Sequence, residues 1–256
     1  MIIDTYVQFG PGLANHKQRL QRPLTDLDSV DALLANMDKA GIDASMVHAP
    51  RWVGGAFEDP TYVQANKAVA VAVAANKKRL IGFARVNPNY GEAAARELEK
   101  CFTEYGFKGL MLDAEWENFD PMDKHFSYPL YEIARAHKAP ILFHTWYSPS
   151  QPALYWEVAN DFPDVPVIIS HLGGRLIADA TYVAQRAPNI YLETSDNMYG
   201  VGGPARNLGA ERILFGSNAP FSSVTTEMLK VTKSYLSEEE QGLVLGGNAA
   251  RLFGLN

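Results

Sequence analysis

The sequence predicts an α/β chain folded as a (β/α)8 TIM barrel, and three observations predict it. The 256 residues match the usual size of one such barrel. Short apolar runs rich in β-branched residues alternate with longer stretches of helical periodicity. Eight of these runs are present, the number that closes a parallel sheet on itself. A doubly wound open sheet is the runner-up, and it lacks the Gly-rich dinucleotide turn that should follow the first run. A single domain is expected over residues 1–256.

The strand-like runs are Ile2–Phe9, Ala44–Pro50, Leu80–Pro88, Lys108–Trp116, Pro140–Trp146, Val167–Gly174, Ile190–Asp196 and Arg212–Phe221. Between them, Ser29–Ala40, Tyr62–Asn76, Glu92–Tyr105 and Tyr128–His137 place apolar residues on one helical face. Thr25–Asp28 offers cap residues ahead of the first helix. In such a barrel the chemistry sits at the C-terminal ends of the strands.

Composition removes several classes of function. One cysteine cannot form an internal bridge, and Cys101, in a helical stretch, is expected to be packed and inert. With 47% hydrophobic residues and a net charge of −6, the chain is not disordered. Scattered basic residues in an acidic chain match neither nucleic acid nor anionic lipid. No apolar run reaches membrane-spanning length, and Met1–Tyr6 has no signal-peptide character, so the cytoplasm is the expected location.

Reading the strand ends gives a short list of candidates. Asp4, Tyr6 and Gln8 share one face of the first strand. His48 ends the second, with Arg51 and Trp52 just beyond; Arg85 and Asn87 lie on the third. The fourth carries Asp113 and Glu115 before Trp116, and the fifth ends in His144, Thr145 and Trp146. The sixth ends in His171 before Gly173-Gly174, the seventh carries Glu193, and Asn218 follows the eighth.

Each candidate has a plainer reading. A lone strand-end histidine is more often a hydrogen-bonded core residue than a catalyst, and His48 stays ambiguous on that ground. His16, His125 and His137 read as surface residues. His144 and His171 differ because they end adjacent strands, where their side chains can converge. Arg51 and Arg85 could clamp a substrate carboxylate, or could form ion pairs within the rim. Trp52, Trp116 and Trp146 could line an aromatic pocket, although tryptophan in a barrel is usually core. Gly173-Gly174 could present amides to an anion, a weak signal by itself.

These residues carry a family resemblance. The stretches MIIDTYVQF (1–9), LIGFARVNP (80–88), GFKGLML (106–112), PILFHT (140–145), IISHLGG (168–174), NIYLETS (189–195), RILFGSNAPF (212–221) and GNAARLFG (247–254) recur in order and spacing over nearly the whole chain. The sequence resembles the amidohydrolase-related, metal-dependent barrel hydrolases and decarboxylases. The resemblance implies the same barrel, a small-molecule substrate and a homodimer as an allowed assembly.

The departures from the family pattern are informative. Where the family has a metal-binding His-x-His on the first strand, this chain has Tyr6 and Gln8. The fourth-strand Lys and His become Met111 and Asp113, and the Asp after the eighth strand becomes Asn218. Only His144 and His171 keep the family's metal-binding positions. A catalytic ion needs about three protein ligands, and neutral amides are poor substitutes. The expectation is therefore an enzyme without a cofactor.

Three readings follow. The first is a metal-independent hydrolase of a lactone, ester or amide, with a decarboxylase or C–C lyase of an aromatic acid as its alternative. His144 or His171 would be the acid/base, Asp113 would orient one of them, and Tyr6 would donate a proton. Gln8 and Asn218 would hydrogen-bond the substrate or a developing oxyanion; Arg51, Arg85, Trp116 and Trp146 would bind it. The second is a relocated metal site, one Zn at Asp113, His144 and His171. The third is a non-catalytic small-molecule binder.

Overall fold

The computed structural model describes residues 1–10, 29–50 and 59–255. Eight parallel strands form one sheet in sequence order: β1 (Ile3–Gln8), β2 (Ala44–His48), β3 (Leu80–Arg85), β4 (Gly109–Leu112), β5 (Ile141–Phe143), β6 (Val167–Ile169), β7 (Ile190–Glu193) and β8 (Ile213–Leu214). The last strand returns to the first. Thr5 N donates to Phe215 O at 2.9 Å, Gln8 N to Ala219 O at 2.9 Å, and Asn218 N to Tyr6 O at 2.9 Å. The sheet is thereby a closed barrel, the (β/α)8 arrangement that the alternating pattern predicts.

Two apolar layers hold it. The lumen is filled by alternate strand residues, among them Ile3, Met46, Phe83, Met111, Leu142 and Ile168, with Phe253 and Leu255 packed against them. The outward residues, such as Val47, Leu110, Ile141 and Val167, bury against the surrounding helices. Close fits require glycine: a Cβ on Gly109 would stand 2.6 Å from the Phe83 ring.

The helices follow their sequence signals. Val30–Ala40 is capped by Ser29, whose Oγ accepts from Ala32 N at 3.2 Å, and it ends at left-handed Gly41. The cap is thus Ser29, while Thr25–Asp28 lies outside the described residues. Val63–Ala75 buries Ala65, Asn66, Val69 and Ala72 on one stripe. Within it, the Asn66 amide clasps the end of β3, accepting from Arg85 N at 3.1 Å and donating to Arg85 O at 2.8 Å.

One irregularity sets the phase of the site. Ile3 and Asp4 pair with Ala44 and Ser45, but Val7 and Gln8 pair with Val47 and His48, so β1 carries one extra residue. The expected single face of Asp4, Tyr6 and Gln8 is corrected by this bulge. Tyr6 joins Ile3 in the lumen layer, and Asp4 instead takes hydrogen bonds from Ser217 N and Ser217 Oγ at 2.9 and 2.5 Å.

No helix among the described residues is long and apolar enough to cross a membrane. Cys101 is buried, and its thiol faces Glu97.

Candidate active site

The strand ends gather a histidine–tyrosine row. The His144 and His171 rings meet edge to face with centroids 5.0 Å apart. Tyr6 lies 5.1 Å from His171 and 4.9 Å from His48. Trp146, half-buried, stands edge-on to His171 at 5.8 Å. The convergence expected of His144 and His171 is found, and His48 belongs to the same row.

Backbone acceptors fix the ring chemistry. His171 Nδ1 lies 3.0 Å from Ser195 O and 2.9 Å from Ser195 Oγ. A carbonyl only accepts, so Nδ1 carries the hydrogen and Nε2 is the basic nitrogen. His48 is held the same way, with Nδ1 3.0 Å from Ala49 O. Burial, then the nearby Arg85 charge, lowers the His48 pKa to about 3, so this ring is neutral. His144 Nδ1 lies 3.4 Å from Asp113 Oδ1 and 3.9 Å from Glu115 Oε2.

Beneath His171 lies a buried carboxylate. Glu193 accepts from Ser195 N at 2.5 Å, from Ser195 Oγ at 2.9 Å and from His171 N at 3.2 Å. Burial drives its pKa up to about 8 against those hydrogen bonds. A Cβ on Gly216 would collide with this carboxyl group, so a glycine is needed there. Asp4, also buried, is raised to about 6. Ser195 had no place among the expected site residues; its only sequence signal is the Glu193-x-Ser195 spacing just after a strand.

Arg85 is not exposed at the mouth. Its side chain is fully buried, with Nη2 2.8 Å from Glu117 Oε1 and 3.3 Å from Asp113 Oδ2. Tyr62 donates a very short hydrogen bond to the same Glu117 oxygen. The ion-pair reading of Arg85 describes this arrangement, and the carboxylate-clamp reading does not. Asp113 has structural duties besides, since its Oδ1 accepts from Trp116 N at 3.0 Å and caps the short helix Ala114–Glu117. Trp116 is half-buried on that helix. Arg51 and Trp52 lie outside the described residues.

Asn218 and Gln8 meet directly, with Gln8 Nε2 donating to Asn218 Oδ1 at 3.1 Å. Asn218 has a left-handed backbone (φ 52°), as do His171 (φ 56°), Leu172 (φ 51°) and Asp196 (φ 53°). Such conformations cost energy outside glycine and concentrate at functional loops. Gly173-Gly174 serves packing: a Cβ on Gly174 would lie 2.8 Å from Thr145 O and 3.1 Å from Trp146 Cα.

Among the described residues no three of His, Cys, Asp and Glu gather to hold an ion. The expected trio of Asp113, His144 and His171 is therefore not assembled, because Asp113 is drawn to Arg85 and the helix cap.

Known proteins correct the expected chemistry. A γ-resorcylate decarboxylase from Polaromonas sp. is 25% identical over 289 aligned residues, covering 90% of this chain and 89% of that one. A 5-carboxyvanillate decarboxylase from Novosphingobium aromaticivorans, solved with manganese and 4-hydroxy-3-methoxy-5-nitrobenzoic acid, has a TM-score of 0.80 at 17% identity, covering 100% of this chain and 96% of that chain. A dihydroxybenzoic acid decarboxylase from Polaromonas sp., with manganese and 2-nitroresorcinol, has a TM-score of 0.76 at 20% identity, covering 100% and 97%.

The expected metal-independent hydrolase is thus corrected on both counts. The relatives are decarboxylases, and solved neighbours of this fold hold manganese, so the expectation of no cofactor is withdrawn. The sequence model of the amidohydrolases matches residues 16–255. By that match and by its closed eight-stranded barrel, the chain belongs to the amidohydrolase family.

Proposed function

We propose that this protein is a decarboxylase of a small aromatic acid. The observation that carries the reading is the His144–His171 pair, two imidazoles 5.0 Å apart at the ends of β5 and β6. The curated decarboxylase relatives supply the reaction class.

The reaction exchanges a carboxylate for a proton. The ring carbon takes up H⁺, the bond to the carboxyl carbon breaks, its electron pair stays on the ring, and CO2 leaves. The site must therefore deliver one proton to carbon while holding the ring still. An imidazolium can donate near neutral pH. His171 suits this role, because Ser195 fixes the Nδ1 hydrogen and leaves Nε2 to exchange the proton. His144, beside Asp113, is the second proton-handling group. Trp146 supplies an aromatic edge, and Tyr6 and Asn218 complete the polar wall.

The test is a panel of hydroxybenzoates, 2,6-dihydroxybenzoate included, set against lactones and esters and followed by CO2 release and ultraviolet absorbance. Stoichiometric CO2 from at least one aromatic acid is expected. Hydrolysis of a lactone with no CO2 from any acid would overturn the reading.

A further inference from the structure

Among the described residues, two buried acceptors at the barrel mouth have no donor. Gln8 and His48 are register partners on β1 and β2, so their side chains leave the sheet at one level. His48 Nε2 and Gln8 Oε1 are both buried without a hydrogen-bond partner among the described residues. Neither atom can turn to another task. The His48 Nδ1 hydrogen goes to Ala49 O, and the ring stands edge-on to Tyr6 at 4.9 Å. The Gln8 amide hydrogen goes to Asn218 Oδ1, which the left-handed backbone of Asn218 holds in place.

An unmet acceptor in a protein interior is costly unless a ligand supplies the donor. His48 is neutral and so cannot become the donor itself. The aromatic acid of the decarboxylase reading brings no ammonium. A carboxylate is disfavoured, since it would set acceptor against acceptor. What remains is a neutral donor.

We infer that Gln8 and His48 form an acceptor pair that binds a hydroxyl group of the substrate. Resting on the decarboxylase reading, this deepens it to a hydroxylated aromatic acid with a fixed orientation. The hydroxyl points to β1 and β2, and the carboxylate lies toward His144 and His171. The pair also separates hydroxyl from methoxy, which brings no hydrogen and more bulk.

Calorimetric binding of 2-hydroxybenzoate, 2-methoxybenzoate and benzoate to the whole protein tests the pair. The wild type is expected to bind the hydroxy acid at least about tenfold more tightly than the methoxy acid, the discrimination of a site built around a hydrogen bond. Gln8→Met and His48→Leu should each bring the two affinities within about threefold, with benzoate affinity kept as the internal control. His48→Gln, which retains an acceptor, should restore part of the preference. Should His48→Leu not fold, Gln8→Met decides alone. A wild type without the preference, or variants that keep it, would overturn the inference. A protein that releases no CO2 but keeps the preference would instead refute the decarboxylase reading and leave the acceptor pair standing.

Discussion

Ser195 receives the Nδ1 hydrogen of His171 on both its carbonyl oxygen and its Oγ, at 3.0 and 2.9 Å. The hydroxyl that helps hold the ring donates in turn to buried Glu193 at 2.9 Å. The imidazole is therefore oriented from below by a side chain one strand away, and its tautomer is set before any substrate arrives.

Replacing His171 by Ala or Asn should lower kcat for the aromatic acid by about 10²–10⁴-fold, the usual contribution of a positioned acid/base. Binding of the same acid should survive, because ring contacts and the acceptors on β1 and β2 remain. Steady-state kinetics beside calorimetry separates the two effects. A kcat unchanged in both His171→Ala and His144→Ala would remove these residues from the chemistry.

Arg85→Met should act on stability. It strands Glu117 and Asp113 as buried carboxylates, and breaking such a pair from one side costs about 3–5 kcal/mol. Urea unfolding followed by circular dichroism reads that loss directly. If stability held and only KM rose, Arg85 would be a substrate clamp after all.

Stability should fall as pH rises from about 6.5 to 8. Burial raises Glu193 from 4.5 to about 8 and Glu117 from 4.5 to about 7, so the folded state binds more protons than the unfolded chain in that range. His48 has the opposite effect: lowered from 6.5 to about 3, it makes stability rise with pH only below 6.5. Glu193→Gln should remove on the order of 1 kcal/mol of this decline. Melting temperatures across pH 6 to 9 for wild type and variant provide the check, and identical slopes would count against a buried, raised Glu193.

Restoring family donors should raise manganese affinity. Gln8→His with Asn218→Asp adds an imidazole and a carboxylate to His144 and His171, four candidate donors where a catalytic ion needs about three. An increase of at least about tenfold over wild type is expected in equilibrium dialysis with metal analysis, on the scale that single ligand-sphere changes produce. No gain in the double variant would mean that these positions do not face a common ion.

Much of the fold was legible because barrel strands are buried on both faces and read as dense apolar runs. The pairing of His144 with His171 was legible too, since neighbouring strands place their ends together. The destination of Arg85 was not. Its partner Glu117 sits in a short helix with no periodic signature, and Tyr62 reaches the same carboxylate from a distant segment. His48 looked ambiguous because its importance depends on register with Gln8, and that register passes through a bulge no composition rule announces. The cofactor expectation failed differently: it was drawn from substituted ligand positions, and solved neighbours of the same fold hold manganese.

The extra residue in β1 has a wider consequence. Below it, Ile3 is locked into the barrel floor; above it, Tyr6 and Gln8 face the mouth with their own phase. The strand is thereby split into a half that answers to folding and a half that answers to chemistry. Mouth residues can be exchanged over evolutionary time without re-aiming the floor. Deleting the extra residue itself, Thr5, would set Tyr6 opposite Met46 in unbroken register and keep Ile3, Tyr6 and Gln8 on one face, whereas a deletion beyond the bulge, at Val7, would turn Gln8 away and leave the floor intact.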